Sequence, residues 1–447
     1  MPHLHAFTMP APALMSAMKI RSRTGDNEIM KGMRFFWWIV CGALLVLAPR
    51  VQAQWATQTI ALKGGWNAVY LHVDASHTNL DQFIGSDLTN PIQEIWLWQP
   101  PVPPGQFLDS PQRQTASGTE WGTWKRQRDI SSTLTRLTGN AAYLVRVSAV
   151  VTSYTWNVKG KPVPPSYRWS LSGLNLIGFP TPPLNPPFSS SFLSPAPELQ
   201  QTAEIYQYPG GQLGPDNPSQ VSSLLYRSTQ MPRGQAYWMR AGETFNRYFG
   251  PFEVTIESYP SIKFGDELGQ ARLRIRNQTD SAIQVTLRQI ISEAAPPGLP
   301  VIVGQPPLLL RGALVTNGLT FTYTYTNLSA GAQTWTLTPM GQSGSEVEVI
   351  LGLNRSQMVG AAGDLFAAML RFTDSLNLSQ VDVGVSAEVA GKSGLWIGGA
   401  QVEYVSHYLK KFAQATNDTD LASLLQRLQL TNGVGGVRYV RDPSSGR

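Results

Sequence analysis

The sequence predicts a mainly β protein, with two tandem β-rich repeat modules followed by an Ig-like β-sandwich. Three observations predict it. Short runs rich in Val, Ile, Thr and aromatic residues alternate with Gly, Pro and Asn turns over most of the chain. Four landmarks recur in one order in the first half, while helical periodicity is sparse throughout. Charged residues make up only 14% of the chain, against about 25% in an average soluble domain. Gly, Pro, Ser, Thr, Gln and Asn fill the difference, a composition suited to polar, uncharged turns between strands.

Residues 1–53 read as a leader. Lys31 and Arg34 form a positive n-region, Phe35 to Ala48 an apolar h-region of 14 residues, and Val51-Gln52-Ala53 a signal-peptidase site. A membrane-spanning helix needs about 18–20 apolar residues, and Arg50 closes this run earlier. The expectation is a cleaved secretory signal of bacterial type and a product starting at Gln54, exported to the periplasm, the cell surface or beyond. Retention of 35–48 as an N-terminal membrane anchor is the alternative. Met1 to Ile29 is polar and patternless, and a start at Met30 or Met33 would give a leader of ordinary length.

Removal of the leader changes the chemistry of what remains. The sole cysteine, Cys41, lies in the h-region, so the mature chain has no thiol for a disulfide, a thiolate metal site or a cysteine nucleophile. Residues 1–53 hold six of the 35 basic and two of the 29 acidic residues, so the net charge falls from +6 to +2. A nucleic-acid binder needs a dense basic face to displace counterions from phosphate, and no nucleic-acid partner is expected. No membrane span is expected after cleavage.

The first module covers residues 54–165 and the second 166–250. Gly65-Trp66-Asn67-Ala68-Val69 returns as Gly173-Leu174-Asn175-Leu176-Ile177, and Phe83-Ile84 as Phe192-Leu193. Glu94-Ile95-Trp96-Leu97-Trp98 returns as Glu204-Ile205-Tyr206-Gln207-Tyr208, and Ala142-Tyr143-Leu144-Val145-Arg146 as Ala236-Tyr237-Trp238-Met239-Arg240. The offset changes only across Gln99 to Leu137, which reads as a surface insertion in the first copy. Ile60 to Val73, Pro91 to Trp98, Tyr143 to Val151 and Gln235 to Arg240 read as strands, and Asn79 to Ile84 as one short turn capped by Asn79. Leu97 becomes Gln207 while Trp96 and Trp98 stay aromatic, so the aromatic face is expected to be the core and the other face to tolerate polar residues.

The sandwich covers residues 251–408. Its strands are expected at Phe252 to Glu257, Ala271 to Arg276, Ala282 to Ile291, Leu319 to Thr326, Gln333 to Thr338, Glu346 to Leu351, Leu365 to Thr373 and Gln380 to Val389. Ala400 to Val405 would add a last strand. Residues 409–447 form a polar tail with one possible short helix from Asp420 to Leu428.

These motifs carry a resemblance. The Gly-Trp-Asn opening, the Trp-x-Trp strand and the Ala-Tyr-Leu-Val-Arg close resemble tandem modules in large exported proteins of planctomycete and verrucomicrobial bacteria. Asn175 to Pro180 and Tyr237-Trp238 fit that pattern well, whereas the first copy has His72 where a proline is usual. Phe366 to Tyr404, with Gly394-Leu395-Trp396-Ile397-Gly398, resembles a further β module of such proteins. The resemblance covers most of residues 55–405. It implies exported architecture and no particular reaction.

A search for reactive groups yields no catalytic residue, no metal site and no cofactor. His72 and Asp74 share a strand face, but His77 lies beyond a turn and no third ligand has useful spacing; solvent-exposed loop histidines are the expectation. No Gly-x-Ser-x-Gly elbow, phosphate loop or dinucleotide fingerprint occurs, and no Asp-rich calcium loop. Glu94 and Glu204 recur beside paired aromatics, where a glycosidase would want carboxylates, but a solvated strand entry explains them better. Trp121 and Trp124 fall in the first-copy insertion, apart from the shared framework, and are the ligand-binding residues expected if a glycan or another surface protein is bound. The expected function is thus an exported, non-enzymatic structural, adhesion or surface-interaction protein. The alternative is an exported carbohydrate-binding or carbohydrate-processing protein.

Overall fold

The computed structural model describes residues 54–99, 121–127, 132–166, 173–195, 202–222, 225, 227–240, 248–317 and 320–390. The leader, the Ala400 to Val405 strand and the tail after 408 lie outside the described residues. What is described is mainly β, and no helix in it is long and apolar enough to cross a membrane.

Residues 54–165 contribute seven strands: β1 (Ala56–Lys63), β2 (Gly65–Leu71), β3 (Val73–Asp74), β4 (Ile92–Trp98), β5 (Trp121–Lys125), β6 (Ala141–Val147) and β7 (Ser153–Pro162). One sheet runs β5-β4-β6-β2 and the other β1-β7-β3. A five-residue π-type turn, Asp81–Gly85, links β3 to β4; its N-cap residue is Leu80 and not the expected Asn79, whose Oδ1 accepts the Gln82 N–H at 2.8 Å from one residue earlier. The strand expected from Tyr143 to Val151 stops at Val147. There the chain turns, with the Val151 N–H bonded to the Ser148 carbonyl at 3.1 Å, and β7 sets out as a separate strand.

Residues 166–250 contribute β8 (Asn175–Gly178), a single-turn helix α1 (Ser189–Leu193), β9 (Glu204–Gln207), β10 (Ser219–Gln220) and β11 (Ala236–Arg240). Their sheet runs β10-β9-β11-β8, the order of the first module's sheet strand for strand. The registers agree as well. Asn67 pairs with Val145 as Asn175 does with Met239, and Glu94 pairs with Arg146 as Glu204 does with Arg240.

Both faces of these sheets are buried, which corrects the expectation of a single aromatic core face. Ile95, Val69, Tyr143 and Val145 pack under the π-type turn and the β1-β7-β3 sheet, and Ile205, Ile177, Tyr237 and Met239 pack under α1. The aromatic faces meet each other, forming one core from Trp66, Tyr70, Trp96 and Trp121 on one sheet and Leu174, Leu176, Tyr208 and Trp238 on the other. Leu97 and Gln207 are only half-buried, so the polar exchange there reports a sheet margin, not a solvent face.

The remaining strands form a sandwich. One sheet holds β12 (Phe252–Ile256), β14 (Gln270–Asn277), β20 (Glu346–Leu353), β17 (Leu308–Asn317) and β18 (Thr320–Asn327), in that order. The other runs β13 (Ile262–Lys263), β22 (Gln380–Glu388), β21 (Leu365–Asp374), β15 (Ile283–Ile290) and β19 (Gln333–Leu337), with β16 (Ile302–Gly304) also on β21. Alternate residues such as Val254, Leu273, Ile275 and Leu351 of the first sheet meet Val285, Leu287, Leu370 and Val383 of the second in one core. The sandwich touches both modules. Glu293 accepts from Thr57 N at 2.8 Å, and Arg233 Nη1 donates to the carbonyls of Thr181 at 3.1 Å and Gln380 at 2.8 Å.

Candidate functional site

The Gly-Trp-Asn motif is a structural joint. Gly65 adopts φ +87°, a conformation that favours glycine. Asn67 Oδ1 accepts the Lys63 N–H at 2.9 Å, and its Nδ2 donates to the carbonyls of Lys63 at 2.8 Å and Gly65 at 3.1 Å. In the second module Asn175 Nδ2 donates to the Gly173 carbonyl at 3.0 Å, the same bond two residues back. The asparagine thus satisfies backbone groups that the bend removes from the ladder.

The recurring carboxylates are ion-paired. Glu94 meets Arg146 at 2.7 Å and Glu204 meets Arg240 at 2.7 Å, each pair lying directly across two neighbouring strands. Two carboxylates flanking a sugar would have to stand free and near each other. Each here is committed to its own arginine.

Trp121 and Trp124 do not stand apart from the framework. They lie on β5, whose counterpart β10 occupies the same place in the second sheet, so the stretch read as an insertion contains a shared strand. Trp124 pairs with Ile95 as Val221 bonds to Ile205, and it is buried to 2% exposure with its Nε1–H donated to Asp81 at 3.0 Å. Trp121 is 7% exposed and packs against Trp98 at 5.1 Å and Trp96 at 6.1 Å. Trp98 in turn meets Trp238 of the other module edge-on at 5.1 Å, and Trp238 Nε1 donates to the Tyr208 hydroxyl at 2.9 Å. The sequence hides this because β10 is only Ser219-Gln220, with no β-forming pattern to align with Trp121–Lys125.

His72 is likewise buried, not exposed in a loop. Its N–H is held by Gln58 Oε1 at 2.8 Å, its carbonyl by the Val163 N–H at 3.0 Å, and its ring lies 4.9 Å from that of Tyr70. Burial, reinforced by the charge of Arg233, holds its pKa well below the usual histidine value, so the ring is neutral. His77 is half-buried and edge-on to Trp55 at 4.9 Å. Burial also pushes the Tyr143 hydroxyl up to about 12, and that hydroxyl accepts the Thr138 N–H at 2.8 Å. Among the described residues no three His, Cys, Asp or Glu side chains gather where a metal could bind.

A cleft of about 170 Å³ lies between Pro164-Pro165 and β12, with Tyr259 and Phe249 on its walls. Its one carboxylate, Glu253, accepts from Gln278 Nε2 at 3.0 Å and faces Arg276 at 3.9 Å.

No protein-family model matches the chain, and no curated protein matches it. Among solved structures it is similar to a FixG-related protein from Vibrio parahaemolyticus, at 11% identity and TM-score 0.18 over 31% of this chain and 96% of that one. It is similar to the CooA pilin subunit from enterotoxigenic Escherichia coli at 9% identity and TM-score 0.16, over 32% and 99% of the two chains. It is similar to the CupB6 tip adhesin from Pseudomonas aeruginosa at 9% identity and TM-score 0.17, over 75% and 90%. Scores this low carry no argument about fold or function.

Proposed function

We propose that this chain is an exported, non-enzymatic structural or surface-interaction protein, built from two copies of one β module and a β-sandwich. One observation carries the reading: the groups best placed by sequence to do chemistry or bind sugar are used up in packing. Glu94 and Glu204 are neutralised by Arg146 and Arg240, and the rings of Trp121 and Trp124 are covered. Export rests on the leader. The body it would release is anchored close to the expected cut, since Trp55 is buried and its carbonyl accepts the Glu293 N–H at 2.8 Å.

Two measurements test this. Mass spectrometry of the product secreted by a bacterial host is expected to read an N-terminus at Gln54; a retained 35–48 segment would overturn export by cleavage. A glycan array probed with the secreted chain is expected to show no saturable binding. Binding that is lost on Trp121→Ala and Trp124→Ala, with folding intact, would replace the structural reading by the carbohydrate-binding one.

A further inference from the structure

The expected cut makes Gln54 the first residue, and the fold ties that residue down. Chain termini are mobile unless something holds them. Here Gln54 is 5% and Trp55 3% exposed, and the Thr57 N–H and hydroxyl both bond to the Glu293 carboxylate. The Gln54 side chain reaches into the sandwich. A β-carbon at Gly384 of β22 would stand 3.2 Å from Gln54 Oε1, 3.6 Å from Ser261 Cβ and 3.8 Å from the Pro162 carbonyl oxygen, so these groups crowd one point. Among the described residues no hydrogen bond reaches that buried Oε1.

The surroundings disfavour a further cation. Lys161 Nζ lies 5.4 Å from the Trp55 ring centre, and Lys263 follows Ser261 onto β13. Burial and the charge of Lys263 hold Lys161 below its ordinary value, against the pull of Asp74. Burial also lowers His77, edge-on to the same Trp55 ring; Asp74 raises it and Lys161 lowers it. The carboxylates here are engaged. Glu293 faces Lys159 at 3.4 Å as well as Thr57, and Asp74 Oδ1 accepts the Ser76 N–H at 2.8 Å. An α-ammonium on Gln54 would add a buried positive charge to this group, at the cost that burying any charge carries.

We infer that Gln54 is a modification site, and that the exported chain begins with a pyroglutamyl lactam instead of a free amine. The inference rests on the cleavage proposed above. Release from Ala53 leaves an α-amine beside the side-chain amide of its own residue, so the attack is intramolecular. The α-nitrogen attacks Cδ: the N–Cδ bond forms, the Cδ–Nε2 bond breaks, and one proton passes to Nε2, which leaves as ammonia. No oxidant, metal or second substrate is consumed. The lactam keeps one N–H and one carbonyl oxygen, and the terminal charge is gone. It enters the packed site without the penalty an ammonium would meet there. Closure precedes docking, and docking then covers the ring.

The chain secreted by a bacterial host is analysed as intact mass and as its N-terminal peptide. It is expected to start at residue 54 and to weigh one ammonia less than the encoded sequence. Pyroglutamyl aminopeptidase is expected to release that residue from the denatured chain and to spare the folded one. Gln54→Asn keeps a side-chain amide too short to close the lactam. Its retained α-amine, titrated by the pH dependence of its labelling, is expected to fall below the usual value of about 7.7–8.0. A start at residue 54 with an unmodified amine would overturn the lactam and leave export standing. A cut elsewhere, or a retained 35–48 segment, would overturn export at this bond and the lactam with it. An ordinary α-amine value in Gln54→Asn would show that the site accepts the charge, and would remove the reason for the lactam.

Discussion

Asn67 and Asn175 each spend their side-chain amide on the carbonyl two residues back, and this explains why Gly-x-Asn recurs when the residue between does not. The same logic applies to Asn277, whose Asn-x-Thr motif would mark a glycosylation acceptor in another host. It is fully buried, bonding to the carbonyls of Ser281 at 2.8 Å and Thr338 at 2.7 Å, so the motif here is turn chemistry. The residue with the clearest solution signature is His72. The unfolded chain takes up a proton there near pH 6.5, while the folded state resists it because the charged ring would be buried beside Arg233. Below about pH 6.5 the unfolded state therefore binds more protons, and stability falls by up to about 1.4 kcal/mol per pH unit until the lowered folded pKa is reached. Urea midpoints measured from about pH 8 to about pH 5 should show this decline, and His72→Phe should flatten most of it; an unchanged slope would place the titration elsewhere. His77, also lowered by burial, supplies the residual slope.

At the scale of elements, the two sheets meet through corresponding positions that cannot be alike. Tyr70 of β2 and Gly178 of β8 occupy the same place in their modules, and they face each other across the shared core. One position carries a ring and the other carries no side chain. A β-carbon at Gly178 would collide with the Tyr70 side chain and the Gln235 carbonyl, neither of which can swing aside. Gly178→Ala is expected to cost about 1–3 kcal/mol, and a thermal midpoint equal to that of the unaltered chain would show that the interface is looser than described. The loops of the second module also close the free edge of β2. The Trp66 N–H bonds to the Gly211 carbonyl at 2.7 Å and the Tyr70 N–H to the Gly234 carbonyl at 2.9 Å. Most sandwich strands were legible from alternation and turn residues, such as Leu365 to Thr373 and Gln380 to Val389. β17 was not, because Pro306-Pro307 and Gly312 break its pattern; its pairing comes from the facing hairpin strand, not from its own composition. β5 was missed because its counterpart β10 is only two residues long, and β7 was missed although Tyr154, Trp156 and Val158 alternate with Thr155 and Asn157.

At the scale of the molecule, the modules are not beads on a string. Each has a core of its own, yet the core containing Trp66, Trp96 and Trp238 belongs to both. Trp238→Ala is therefore expected to cost about 3–5 kcal/mol, and native-state hydrogen exchange should lose protection in β2 and β6 as well as in β8 and β11. Loss confined to residues 166–250 would mean that the modules fold independently.

Composition, alternation and the recurring landmarks are local properties, and they were enough to determine that the chain is β, where many of its strands fall and which landmarks recur. They could not determine which faces are buried, because a strand covered on one side and a strand covered on both read alike until the second surface is in place. That surface is the other module. Only the tertiary structure decided that Trp96, Trp98 and Trp121 seal a joint between sheets and that Glu94 and Glu204 close on arginines. It likewise put His72, read as a loop residue, inside. Each outcome depends on contacts between residues far apart in the chain, where burial and charge pairing are set by what packs opposite.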